Sequence, residues 1–150
     1  MSGRYFPTLL LVICCASACS SFSRPVEIDR QRVTHPSGVE FEDIIKGMGR
    51  AARKGRSVTL EYTAWLEDGT RFDSSLDRGR PLTFILGAAP LSGWDIGIPG
   101  MREGGERRLF VPSERAYGEA GLPGLVPPGT PLEFLIELLE VTLEPDERDR

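Results

Sequence analysis

From residue 57 to 66 the chain alternates without a break. Val58, Leu60, Tyr62, Ala64 and Leu66 fall on one side, and Thr59, Glu61, Thr63 and Trp65 on the other. A period of two predicts a strand with one buried face. Glu67-Asp68-Gly69-Thr70 then supplies an Asp-Gly turn, and Arg71-Phe72-Asp73 opens a returning strand. A hairpin is therefore expected, its inner face carrying Tyr62 and Phe72. Residues 38–45 read as a first edge strand and 46–55, with their glycines, as a loop. Residues 82–86 read as a short strand ending at Gly87, and 107–111 as a strand stopped by Pro112. Residues 93–98, bounded by Pro90 and Pro99 and preceded by Ser92 as a candidate N-cap, predict one short helix with Trp94 and Ile98 on a shared face. The Gly/Pro-rich stretch 117–130 reads as a long exposed loop.

The final apolar run, 132–143, fits two patterns. Leu132, Leu135, Ile136 and Leu139 suit a helix, while Leu132, Phe134, Ile136 and Leu138 suit a strand. Prolines at 127, 128 and 131 and the pair Val141-Thr142 favour the strand. The pattern as a whole predicts an α+β domain: an antiparallel sheet of about five strands with one short helix.

The 150 residues carry a net charge of −4, which gives no electrostatic footprint for nucleic acid. The cluster Arg50, Arg53, Lys54 and Arg56 reads as a solvated loop. Residues 1–18 have the form of a secretory signal peptide: a weakly basic start, an apolar stretch to Cys15, then Ala16-Ser17-Ala18 as a small-residue cleavage site. All three cysteines, Cys14, Cys15 and Cys19, lie in or beside this leader, so the following domain depends on neither a disulfide nor a cysteine metal site. Cys19 and its neighbours resemble a bacterial lipobox, with Ala16 where a larger aliphatic residue is usual. Lipidation there would anchor the protein through hydrocarbon worth about 0.8 kcal/mol per buried CH₂. Ordinary cleavage after Ala18, leaving Cys19 as a free thiol, is the alternative. Residues 19–33 read as a tether and 144–150 as a charged tail. The expected location is the cell envelope, lipid-anchored and facing the periplasm, or else soluble and secreted.

Chemical groups for covalent catalysis are scarce. His35 is the only histidine and reads as a surface residue beside Pro36. A zinc site or a Cys/His dyad is not available, and no nucleophile elbow, P-loop or dinucleotide fingerprint occurs. Neither metal nor cofactor is expected. What the chain does offer is aromatics near turns: Tyr62, Phe72, Phe84, Trp94, Tyr117 and Phe134. All six would serve as core residues, and Phe84 best of all. Tyr117, between Ala116 and Gly118 at the mouth of a loop, instead calls for a cavity or ligand to pack on. An apolar pocket with a few polar groups at its rim is the usual form of a small-ligand or peptide-side-chain site.

At these residues the sequence resembles the FKBP-type peptidyl-prolyl cis-trans isomerases. The motifs are V-x-L-x-Y-T, L-E-D-G-T-x-F-D-S-S, P-L-T-F-x-L-G, G-W-D-x-G-I-P-G-M, G-E-R-R-L, and A-Y-G followed by P-P-G-T-P-L-x-F-x-I-E-L-L, in order from about residue 34 to 141. The resemblance implies an isomerase domain over 34–143, with a curved antiparallel sheet wrapped around one short helix and 132–143 as a strand. It implies Trp94 as the floor of the pocket, Tyr62, Phe72 and Phe134 as walls, and Leu125 and Val126 closing one side. Asp73 would face the cavity near Tyr62, while the Tyr117 hydroxyl and the Leu91 N–H would hold substrate carbonyls. Proline-containing polypeptides are the implied partners and macrolides the implied inhibitors, with the chain a monomer. Leu82 stands where many members carry an aromatic, Leu122 where some carry a histidine, and the loop around Pro90 is one residue short. Those departures keep a second reading open: a proline-binding chaperone or interaction module with little turnover. A structural envelope lipoprotein with a filled core is the third.

Overall fold

The computed structural model describes residues 31–142. The leader, Cys19 and the tail 144–150 lie outside the described residues. Seven strands and one helix follow in the order β1 (Arg32–Thr34), β2 (Glu40–Ile45), β3 (Ser57–Leu66), β4 (Arg71–Ser74), β5 (Leu82–Ile85), α1 (Ser92–Gly97), β6 (Glu106–Val111) and β7 (Leu132–Thr142). They form a single curved antiparallel sheet in the order β1-β2-β6-β7-β3-β4. The first half of β3 pairs β5 and its second half pairs β4 along the same edge.

The alternation of β3 survives intact. Val58, Leu60, Tyr62 and Ala64 are buried, and the residues between them are partly exposed. The C-terminal run is a strand. Its buried positions are Leu132, Phe134, Ile136 and Leu138, after which the phase slips to Val141. The slip is a bulge: Thr59 faces Glu140 and Leu60 faces Leu138, leaving Leu139 without an opposite number.

The sheet has seven strands rather than about five. β1 is the addition that hydrophobic pattern does not reveal: three residues, all exposed, within or beside the stretch read as tether, held by pairing to Glu40, Phe41 and Glu42. It displaces β2 from the sheet edge. The helix begins at Ser92 with Leu91 in the N-cap position, so Ser92 is not the cap; its hydroxyl instead donates to Arg115 O at 3.2 Å.

The helix covers the inner face of the sheet, and small residues set how closely. A Cβ at Gly93 would meet Val111 at 2.4 Å, and one at Gly97 would meet Leu109 at 2.1 Å. Trp94 and Ile98 point into the same core as Leu60, Ile136 and Leu138. Below the helix, Arg107 is 4% exposed. Its guanidinium pairs with Asp43 on β2 at 2.5 and 3.0 Å, donates to Gly97 O at 2.7 Å and lies 4.1 Å over the ring of Phe41. One side chain thus joins β2, β6 and the C-terminal end of α1. Among the described residues no helix is long and apolar enough to cross a membrane.

Candidate active site

Where α1 leaves part of the inner face uncovered, a cavity of about 460 Å³ opens, and Tyr62, Phe72, Asp73, Leu82, Leu91, Trp94, Tyr117 and Phe134 are among its lining residues. The indole of Trp94, 2% exposed, is its base. Three rings pack on that indole: Tyr62 at 5.0 Å and 71°, Phe134 at 5.3 Å and 85°, and Phe84 at 5.8 Å. The two near-perpendicular contacts are the favoured edge-to-face geometry. Among the described residues Trp94 Nε1 is buried without an acceptor. Phe84, expected as core, is half-buried, packs against the core and is not in the cavity lining.

Strand pairing explains how the polar side of the cavity is built. Ala64 faces Asp73 across β3 and β4, Thr63 faces Ser74, and the next partner of β3 is Arg71, so Phe72 is an extra residue in a bulge. Neighbours on a regular strand point to opposite faces; the bulge lets Phe72 and Asp73 both turn to the cavity. The two serines after Asp73 lock this register. Ser75 Oγ accepts from Tyr62 N at 2.9 Å, Ser75 N donates to Tyr62 O at 3.0 Å, and Ser74 Oγ donates to the same carbonyl at 3.2 Å.

The Tyr62 hydroxyl consequently donates to Asp73 Oδ2 at 2.6 Å and accepts from Arg78, whose Nη1 lies 3.4 Å from Asp73 Oδ1. Arg78 also stacks 5.4 Å above the Tyr62 ring. Burial, followed by the hydrogen bond to Asp73, pushes the Tyr62 phenol up to about 12. Burial also raises Tyr117, with the Asp73 charge adding to it. Both phenols remain neutral through the physiological range.

Arg78 is the member of this group that pattern reading missed. It sits in the turn after Ser75, and only the fold brings it back over Tyr62. The signal available was the Asp77-Arg78-Gly79-Arg80 run itself, two arginines within five residues of Ser75.

On the opposite rim, Tyr117 is half-buried and its hydroxyl has no protein partner among the described residues. The Leu91 N–H likewise donates to no protein acceptor among them. Its loop is held by Asp95 at the start of α1, whose carboxylate accepts from Gly87 N at 2.7 Å and Ala89 N at 3.2 Å. Leu125 and Val126 are not in the cavity lining. Leu122 and Val126 close a tight loop through reciprocal 2.8 Å bonds, leaving Leu125 half exposed and Val126 buried beside a separate depression lined by Leu66, Pro123 and Pro127. His35 is exposed in the turn after β1, bonded to Ser37.

Known proteins carry the same pattern. A family described as FKBP-type peptidyl-prolyl cis-trans isomerase matches residues 48–139. The FK506-binding protein of Neisseria meningitidis serogroup B is 51% identical over 105 residues, 69% of this chain and 96% of that one. Among solved structures, FkpA from Escherichia coli superposes with a TM-score of 0.70 at 38% identity, covering 76% of this chain and 53% of its own. A peptidyl-prolyl cis-trans isomerase from Pseudomonas syringae gives 0.67 at 33% identity, covering 75% of this chain and 81% of its own. The length of these matches, over the same strands that build the cavity, establishes that the chain belongs to the FKBP-type peptidyl-prolyl cis-trans isomerases.

Proposed function

We propose that the isomerisation takes place in the cavity over Trp94, with the prolyl ring against the indole and the flanking peptide held by Leu91 N–H and the Tyr117 hydroxyl. The observation that carries this reading is the pair of unused donors on the rim of an aromatic cup. Twisting an Xaa-Pro amide costs about 18–20 kcal/mol because resonance is lost, and the free reaction takes tens to hundreds of seconds. The planar amide is the more charge-separated form, so a cavity that excludes water disfavours it relative to the twisted one. No nucleophile is needed, which agrees with the chemical poverty of the chain. Asp73 is already engaged by Tyr62 and Arg78, and acts as part of a fixed dipole beside the twisting carbonyl rather than as a proton donor. Leucine at 82 and 91 favours an apolar residue before proline.

The test is the cis-to-trans rate of short Xaa-Pro peptides with residues 20–150. Asp73→Ala should lower kcat/KM by about tenfold for the loss of a charged-group interaction, Tyr117→Phe should lower it by about fivefold for the loss of a neutral hydrogen bond, and an FK506-type macrolide should abolish the acceleration. Unchanged rates in both variants would place the chemistry elsewhere; macrolide binding without acceleration would mean a binding module.

We also propose that the chain is exported and held at a bacterial envelope membrane through lipid on Cys19, with the domain a monomer facing the periplasm. The apolar run ending in Ala-Ser-Ala-Cys supports this reading. Metabolic labelling with radioactive palmitate should mark the wild type and not Cys19→Ser, and the variant should leave the membrane fraction. A soluble, unlabelled wild type would show cleavage after Ala18 instead.

A further inference from the structure

The charges around the cavity do not balance. Between residues 71 and 80 the chain carries Arg71, Arg78 and Arg80 against Asp73 and Asp77, a surplus of one positive charge on a molecule whose net charge is −4. Four of the five are taken. Arg71 pairs with Asp77 at 3.2 Å, and Arg78 is committed to Asp73 and Tyr62. Arg80 is left over. Its backbone N–H reaches Ser75 O at 3.4 Å, but its guanidinium has no hydrogen bond, ion pair or ring contact among the described residues, and it lines the cavity. The remaining groups facing that space are the neutral phenols of Tyr62 and Tyr117, the hydroxyl of Thr83 and apolar side chains; Asp73 is the one carboxylate in the lining.

We propose that Arg80 is a specificity-determining residue that selects prolyl substrates carrying a carboxylate side chain within two residues of the isomerising bond. The proposal rests on the cavity being the isomerase site. A guanidinium presents a planar fork of donors that matches a carboxylate in two parallel hydrogen bonds, so it reads an aspartate or glutamate more sharply than a point charge would. Because Arg80 stands on an exposed turn, water and salt weaken the attraction, and the preference is of modest size.

The experiment compares kcat/KM for three peptide series with glutamate, alanine or lysine placed in turn at the two positions on either side of proline. At low salt the full chain should favour the best glutamate peptide over its alanine counterpart by about two- to fivefold, with lysine lower still, and about 1 M salt should flatten the ratio. Arg80→Ala should bring the glutamate-to-alanine ratio to one, and Arg80→Glu should invert it. Arg53→Ala removes the same charge from a loop outside the cavity and should keep the wild-type ratio. An acidic preference that persists in Arg80→Ala, is lost equally in Arg53→Ala, or is missing from the wild type overturns the assignment. If no peptide is turned over, the isomerase reading fails instead. The same ratios in peptide dissociation constants, followed by tryptophan fluorescence, then decide the role of Arg80.

Discussion

At the scale of single residues, Tyr62 shows what sequence can and cannot reveal. Its place on the buried face of a strand is plain from the alternation of 57–66, and Asp73 is conspicuous after the turn. That Arg78 closes the group is not, because the contact depends on how the turn after Ser75 folds back. The tyrosine hydroxyl now bridges two charged groups, and hydrogen bonds of that kind contribute about 1.5–3 kcal/mol. Tyr62→Phe should lower unfolding free energy by about 1.5–3 kcal/mol at pH 7 in a denaturant titration. The phenol also links stability to alkaline pH. It titrates near 10 when unfolded and at about 12 when folded. Its contribution is complete below 10 and lost as pH rises to 12, since the unfolded chain gives up the proton first. Repeating the titration at pH 11 should show the wild type losing part of its advantage over Tyr62→Phe, and an unchanged gap would mean that the hydroxyl is not held as described.

Among the elements, the long central strand was readable and the short or irregular ones were not. β3 follows its pattern to the residue. β7 looked ambiguous because Leu135 and Leu139, apolar but not buried, complete a helical spacing with Leu132 and Ile136. β1 has no buried side chain, so no hydrophobic pattern could announce it. Tyr62, Phe72 and Phe134 line the cavity, whereas Leu125 is not in that lining and the 122–126 loop closes on itself. The helix depends on absent side chains. With Leu109 only 2.1 Å from where a Cβ would sit, Gly97→Ala must push α1 off the sheet or displace the leucine. It should cost about 1–3 kcal/mol and lower the affinity for prolyl peptides, because Trp94 rides on the same helix. Arg107 holds the same, C-terminal end of that helix through Gly97 O. Removing it strands Asp43 beside a buried gap, and Arg107→Ala should cost about 3 kcal/mol; thermal unfolding of the two variants measures both effects.

Over the whole molecule, stability comes from one continuous core between the sheet and α1, without covalent help. Residues 20–150 contain no cysteine. A reducing agent should therefore leave the melting temperature of that chain unchanged, whereas a shift seen only in a chain that retains Cys19 would point to a cross-link made through it.

The position of β7 has a consequence for the order of events during synthesis. Remove that strand and the ladders fall into two groups, β1-β2-β6 and β3-β4-β5, with no strand ladder between them among the described residues. The keystone of the sheet is the last of the described strands in chain order, made after all the others. A nascent chain ending before residue 132 holds two three-stranded fragments with no shared middle, and pairing distant strands is a slow step in any case. The cup over Trp94 takes one wall, Phe134, from that late strand, so it stays open on one side until β7 has joined the sheet.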